Sequence, residues 1–271
     1  MVTIAKTKQP VRMPRFGHRV DKTDPILRGC VGWWPLNDGA GTKAKDISAY
    51  SNDFTNTGGV TWGATDKGTA ADFNGTSGTY IRGGTSLLAS PSAITVSAWA
   101  KLDTYNSSTG HGIVSRWGSG SSGNQFLLYY PAFSNGPRFF VTNSSTNYIA
   151  QSSTSSTGFT GRYVHFVGTW DGTDVKLYID GTEDATTTGP ASVNSGNSDY
   201  IEIGNYVVNS FCMDGQIQNV RVYDRALTAT EVSRLYTEPW AGLKPLSPFS
   251  FFSGLSQIYA YYSAAFLQRL G

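Results

Sequence analysis

The chain is short of charge, of glutamate and of cysteine, and each shortage closes off a class of protein. Charged residues make up 15% of the 271 positions, with 21 Lys and Arg against 19 Asp and Glu, a net charge of +2. No broad field of one sign is therefore present to drive nucleic-acid binding. Cys30 and Cys212 are the only cysteines, so one internal disulfide at most can form and a disulfide-stapled scaffold is excluded. Cys30 opens the first expected strand and Cys212 lies just ahead of the last, and two readings stand: a bridge, or two buried thiols. His18, His111 and His165 are scattered, without Cys, Asp or Glu at metal-ligand spacing. No nucleophile elbow or phosphate-binding loop occurs, and the Gly/Ser-rich stretch 118–123 reads as a hairpin loop. Residues 1–28 lack the apolar core of a signal peptide. The expectation is a chain either cut from a leader or carried outside as part of an assembly.

What the chain has is glycine, 31 residues, and a strand grammar repeated along most of its length. In the segment Tyr163 to Glu183, two Asp-Gly pairs close β-rich stretches, supplying turn residues that tolerate positive φ. Between them Val175, Leu177 and Ile179 alternate with Lys176, Tyr178 and Asp180, the period of a half-buried strand. Ile94, Val96, Ala98, Ala100 and Leu102 share one face of another strand, and Trp99 on the opposite face means that this side is covered too. Thirteen strands are expected: 30–36, 60–63, 70–74, 78–82, 93–102, 112–117, 124–130, 137–142, 147–151, 162–170, 174–180, 200–204 and 215–223. Many short strands joined by Gly, Asn and Ser turns predict an all-β antiparallel two-sheet jelly-roll sandwich. One short helix is expected after Thr228, which with Glu231 matches a capping box, with Val232, Leu235 and Tyr236 on one face and Pro239 as the stop.

Three regions follow. Residues 1–28 form a basic arm carrying Lys6, Lys8, Arg12, Arg15, Arg19, Lys22 and Arg28. Residues 29–238 form the sandwich, and residues 239–271 an aromatic tail. The run Phe249 to Leu267 has no formal charge and approaches a membrane span in length. Its serines, Gln257 and Gly254 interrupt it, and its tyrosines suit an interface. Docking on another chain or a neighbouring copy is the better reading, with Phe249, Phe251, Phe252, Tyr259, Tyr261, Tyr262 and Phe266 as the contacts, since so many bare aromatics invite association. A homo-oligomer or a larger assembly is the expected state.

From Gly29 to Tyr236 the chain resembles the concanavalin A-like sandwiches of the laminin-G-like and pentraxin-like kind. The resemblance is carried by GCVGWWPLNDGAG (29–41), DISAYSND (46–53), ADFNGTSGTYI (71–81), ITVSAWAKL (94–102) and DGQIQNVRVYDRALTATEVSRLY (214–236). It implies glycan recognition, and a rim calcium held by Asp46 and the Asn52 turn. Where the family carries a later carboxylate run, this chain has Ile217, Gln218 and Asn219, so Gln218 would stand in as a neutral ligand. The alternative is that Asp46 caps a turn. The basic arm, the tail and the ending LYTEPWAGL (235–243) also resemble structural proteins of tailed bacteriophages. That implies a virion surface component, of decoration or fibre type; a carbohydrate-binding module of a secreted or cell-surface bacterial protein is the alternative.

The same sandwich hosts retaining glucanases, whose chemistry needs two carboxyl groups about 5 Å apart. Of four glutamates, Glu183 is expected in a turn, Glu231 and Glu238 at the helix, and only Glu202 in a strand, flanked at i±2 by Tyr200 and Gly204. No paired-acid pattern exists, so no catalytic residue is assigned. Sugar-stacking candidates are Tyr105, Trp117, Tyr129, Tyr130, Phe133, Tyr148 and Tyr206, with Asn106, Asn124, Asn135, Asn143 and Asn205 as nearby amides. Each aromatic also has a plain packing reading, and Trp33 and Trp34 are assigned to the core and its rim.

Overall fold

The computed structural model describes residues 18–65, 68–105, 108–117, 124–132, 135–195, 199–206 and 211–245. The aromatics from Phe249 to Phe266, Lys6, Lys8, Arg12, Arg15, Asn106, Phe133 and the 118–123 loop lie outside the described residues.

In chain order the strands are β1 (His18–Val20), β2 (Cys30–Trp34), β3 (Lys43–Ala44), β4 (Phe54–Thr57), β5 (Thr61–Thr65) and β6 (Gly68–Asn74). They continue as β7 (Tyr80–Gly83), β8 (Ile94–Leu102), β9 (His111–Arg116), β10 (Phe126–Tyr130), β11 (Arg138–Asn143) and β12 (Thr146–Gln151). Last come β13 (Tyr163–Trp170), β14 (Asp174–Ile179), β15 (Thr182–Thr188), β16 (Ile201–Ile203), β17 (Asp214–Tyr223), helix α1 (Ala229–Thr237) and β18 (Leu243–Pro245).

Two antiparallel sheets stack as the expected jelly-roll sandwich. The front sheet runs β12-β11-β10-β9-β16-β7-β4-β3, and the back sheet β15-β14-β13-β8-β17-β6-β5 with β2 also on β17. Asn219, at φ 51, interrupts β17, and there β17 changes partner from β6 (paired at 214–217) to β2 (paired at 220–223). Asn tolerates this left-handed conformation better than most side chains.

The core lies between the sheets. Ile94, Val96, Ala98, Ala100 and Leu102 face it as the alternation predicts, against Phe126, Leu128, Phe139, Val141 and Phe166 from other strands. Burying each large side chain contributes about 1.5–3 kcal/mol. The outer face of the back sheet carries a second layer. Trp33, Val167, Tyr178 and Tyr223 pack beneath Val232 and Leu235 of α1 and beneath Trp240. Trp99 stacks on His165 (5.0 Å) and on Tyr236 (5.7 Å), which explains an outward tryptophan in β8. Burial lowers the His165 pKa to about 3, so the ring is neutral in this layer. The helix starts as expected: the Thr228 hydroxyl accepts from the Glu231 N–H (3.3 Å) and the Glu231 carboxylate accepts from the Thr228 N–H (2.9 Å).

Several features depart from the sequence reading. Glu183, expected in a turn beside Asp184, lies instead in the edge strand β15; TEDATTT has no apolar alternation, and only its ladder to β14 reveals it. At Asp180-Gly181 both residues have positive φ (50 and 82), as in a tight hairpin. At Asp171-Gly172 only Gly172 does, and the Asp171 carboxylate holds the turn by accepting from the Thr173 and Asp174 N–H groups. The cysteines, by contrast, follow one of the two readings, both being buried and unbridged. The end of the arm and the start of the tail are folded as well. β1 and β18 pair with His18 opposite Pro245 and Val20 opposite Leu243. Asp21 meets Lys244 at 2.7 Å, and both Asp24 oxygens meet Arg234 at 2.7 Å. Arg19, Lys22 and Arg28 therefore belong to the folded body.

Candidate functional site on the front sheet

Strand pairing sets one outward residue from each front strand into a single row: Lys43, Thr55, Arg82, Glu202, Ser115, Leu127, Phe140 and Ile149. The row runs from cationic to apolar. Its middle is roofed by the segment that follows β16. The Ser115 hydroxyl donates to the Asn205 carbonyl (2.8 Å), and the Gly112 N–H to the Phe211 carbonyl (3.1 Å). A Cβ on Gly112 would sit 2.5 Å from the Asn205 backbone, so glycine is what lets this segment lie so close. The face is thereby split into two flanks instead of forming one long trough.

On the charged flank, Arg82 donates through Nε (2.6 Å) and Nη2 to one oxygen of Glu202, and the Asn205 amide donates to the other (2.8 Å). Glu202 is buried, and its carboxylate is committed to these partners. The Arg82 guanidinium lies between the rings of Tyr80 (4.2 Å) and Tyr200 (5.0 Å). Tyr200 is 47% exposed. On the apolar flank, Trp117 meets Phe140 edge-on (4.9 Å), and Tyr129 meets Phe140 (5.8 Å) and Tyr206 (5.1 Å). Tyr206 stacks on Phe211 at 4.4 Å. The Tyr129 hydroxyl accepts from Arg138 (3.1 Å), which also donates to Gln151 (2.7 Å). Burial raises the Tyr206 pKa, so its phenol stays protonated at neutral pH.

The structure thus brings together three of the stacking candidates, Trp117, Tyr129 and Tyr206. The other three described ones lie elsewhere. Tyr130 points into the core, fully buried and edge-on to Phe166 (5.3 Å), because adjacent residues of β10 must face opposite ways. Tyr148, opposite Val141, packs half-buried on the inter-sheet side. Tyr105 donates to the Pro131 carbonyl (3.0 Å) and rests against the core. Of the candidate amides, Asn205 is at the site and holds Glu202. Sequence reasoning did not select Phe140, Phe211, Tyr80 or Tyr200; alternation in RFFVTN already puts one phenylalanine on each side, whereas Phe211 precedes β17 in a loop with no periodic signal.

The calcium residues do not fit a cation. Asp46 accepts four hydrogen bonds of 2.8 Å, from the N–H groups of Trp33, Ser48 and Asn52 and from the Ser48 hydroxyl. Its oxygens face donors, where calcium needs a cage of oxygens. Gln218 lies on β17, where its amide donates to the Thr69 carbonyl (2.9 Å). Asp46 is the strut of the 46–52 turn.

The laminin-G-type model of the concanavalin A-like lectin/glucanases superfamily matches residues 74–233. No curated protein matches the chain. Among solved structures, the receptor-binding domain of botulinum neurotoxin C/D mosaic serotype aligns with TM-score 0.59 and 16% identity, over 78% of this chain and 51% of that one. The binding domain of Paraclostridial Mosquitocidal Protein 1 aligns with TM-score 0.61 and 16% identity, over 78% and 52%. This chain therefore spans about half the length of those toxin domains. Domain 4 of AbnA, an extracellular arabinanase from Geobacillus stearothermophilus solved with arabinotriose, aligns with TM-score 0.57 and 21% identity, over 76% of this chain and 98% of that domain. With more than half of its residues matched by the family model, and the two-sheet sandwich in place, the chain belongs to the concanavalin A-like lectin/glucanases superfamily.

Proposed function

We propose that this chain is a non-catalytic lectin-like module that binds glycans through the apolar flank of its front sheet and is held by its tails on a virion surface, as a decoration or fibre-type protein. The observation that carries the recognition half is the cluster of Trp117, Tyr129, Phe140 and Tyr206 beside the Arg138–Gln151 pair: ring faces next to oriented donors are what sugar rings require. On the back sheet the outward aromatics Trp33, Tyr178 and Tyr223 are instead buried with α1 and Trp240. Glu202, the one strand glutamate on the front face that the hydrolase reading needs, is a strut for Arg82 and Asn205, which favours binding without bond cleavage.

The virion role rests on the tails and on resemblance. β1 and β18 bring both exits to the back of the sandwich, which suits attachment at the back and display at the front. The second reading, a carbohydrate-binding module of a secreted or cell-surface bacterial protein, is favoured by the near-complete match to the arabinanase domain. A glycan array that includes arabino-oligosaccharides, probed with the full chain and with Trp117→Ala, tests recognition; no bound glycan ends that half of the reading. Stoichiometric copies in purified virions are expected on the first reading. A chain that stays monomeric and binds polysaccharide without residues 246–271 selects the second.

A further inference from the structure

Acidic residues are missing from the part of the chain that builds the apolar flank. No Asp or Glu occurs between Asp103 and Asp171, a stretch that contains the whole of β9 to β12. The segment that roofs the front face is equally bare, with none between Glu202 and Asp214. Arg138 is the only charged residue of β10, β11 and β12. It stands opposite Tyr129 on one side and Gln151 on the other, two residues before Phe140, so all four share the outer face.

The other arginines of this stretch are accounted for. Arg162 meets Asp180 at 3.0 Å, and Arg116 is buried and donates to the carbonyls of Asp199, Leu87 and Thr85. Glu202, the acid of the front row, is held by Arg82 and Asn205. Arg138 is half-buried and meets no carboxylate among the described residues. Its guanidinium is fixed all the same. Nε donates to Gln151 (2.7 Å) and Nη1 to the Tyr129 hydroxyl (3.1 Å). Of its five N–H groups, both on Nη2 and one on Nη1 then have no partner among the described residues. Both partners are neutral, so the geometry is set while the charge is unanswered.

We propose that the glycan taken by the apolar flank is acidic, with a carboxylate or sulfate of the sugar on the free Nη groups of Arg138 and its ring against Trp117, Tyr129 and Tyr206. This rests on the glycan reading above and names its ligand class. Two oxygens of an oxyanion match the planar fork of a guanidinium, and such charge-assisted bonds are roughly twice as strong as neutral ones. Apolar rings beside the pair weaken solvent screening, and the lack of nearby acids removes the repulsion that would turn an anion away. The charge selects which glycan is accepted, and the rings supply contact area.

The test probes the full chain on an array of uronate, sialylated and sulfated oligosaccharides beside their neutral counterparts, methyl esters for the carboxylates and desulfated sugars for the sulfates. The array tells carboxylate from sulfate. By calorimetry the best acidic ligand is expected to bind about tenfold tighter than its neutral counterpart, and the ratio should shrink as salt is raised. That comparison uses the unaltered chain and so does not depend on any variant folding. In Arg138→Gln the ratio should fall to near one, and Arg138→Lys, which keeps the charge without the fork, should lie between. Equal binding of acidic and neutral forms, or a ratio that survives Arg138→Gln, would overturn this inference and leave glycan recognition standing. No glycan bound in either form would end both.

Discussion

The two outer faces of this sandwich begin from the same sequence pattern and end in opposite roles. In β8 Trp99 points away from the core, and in β10 Tyr129 does the same. Both strands look alike on paper, with apolar residues on one side and an aromatic on the other. On the back sheet the outward layer is capped by a helix and buried under Trp240. On the front it is roofed in the middle by a loop and left part-open at the flanks. What separates a second core from a recognition face is the element laid over it.

If that contrast is right, Trp99→Ala has the largest effect. It removes a ring that packs against both His165 and Tyr236 and is expected to cost about 3–5 kcal/mol in urea unfolding, while glycan affinity per folded molecule stays unchanged. A loss under 1 kcal/mol would mean that the helix does not seal the back. Next comes the centre of the front row. Arg82→Ala leaves Glu202 buried with half its partners and should cost about 2–3 kcal/mol, with Arg82→Ala/Glu202→Gln recovering part of it, because the unpaired charge is then gone. If Glu202→Gln instead leaves stability intact and abolishes binding, the centre of the row is a site and not a strut.

Glu231→Ala sharpens the back side. It deletes the capping box and the pair with Arg225, an expected loss of about 1–2 kcal/mol at neutral pH. The Arg225 guanidinium holds the Glu231 pKa down at about 2, below the ordinary 4.5. A carboxylate depressed on folding stabilises above its unfolded pKa, and the gain fades as pH falls through the folded one. The difference between wild type and variant should therefore be flat above about pH 5 and narrow as pH approaches 2, as followed by thermal melts. The smallest effect on stability, within about 1 kcal/mol, is expected for Trp117→Ala and Tyr206→Ala, whose rings are part-exposed. Both should weaken glycan binding about tenfold by calorimetry; unchanged binding moves the site to the Tyr80–Arg82–Tyr200 flank.

Legibility followed periodicity. Strands with apolar alternation, such as β8 and β13, and the capping box at Thr228 were readable because a repeating or fixed-distance pattern encodes each. The polar edge strand β15, the two-residue β3 and the ribbon of β1 and β18 carry no such period; long-range pairing alone makes them strands. At the candidate site, Trp117, Tyr129 and Tyr206 were legible as aromatics in turn-rich surroundings. That Tyr130 faces inward while Tyr129 faces out was not, since shifting the register by one residue exchanges their roles. The choice between cap and calcium at Asp46 turned on which atoms point at the carboxylate. Three backbone N–H groups converge there, and backbone donors leave no mark in a sequence.

The ribbon has a mechanical consequence. With β1 and β18 antiparallel, the chain enters at His18 and leaves at Pro245 on neighbouring strands at the same end. A load applied through the two extremities would open that ribbon like a zipper, one backbone bond after another, and would then pull on the Asp21–Lys244 and Asp24–Arg234 contacts. The sandwich itself would be shielded from shear until those had given way.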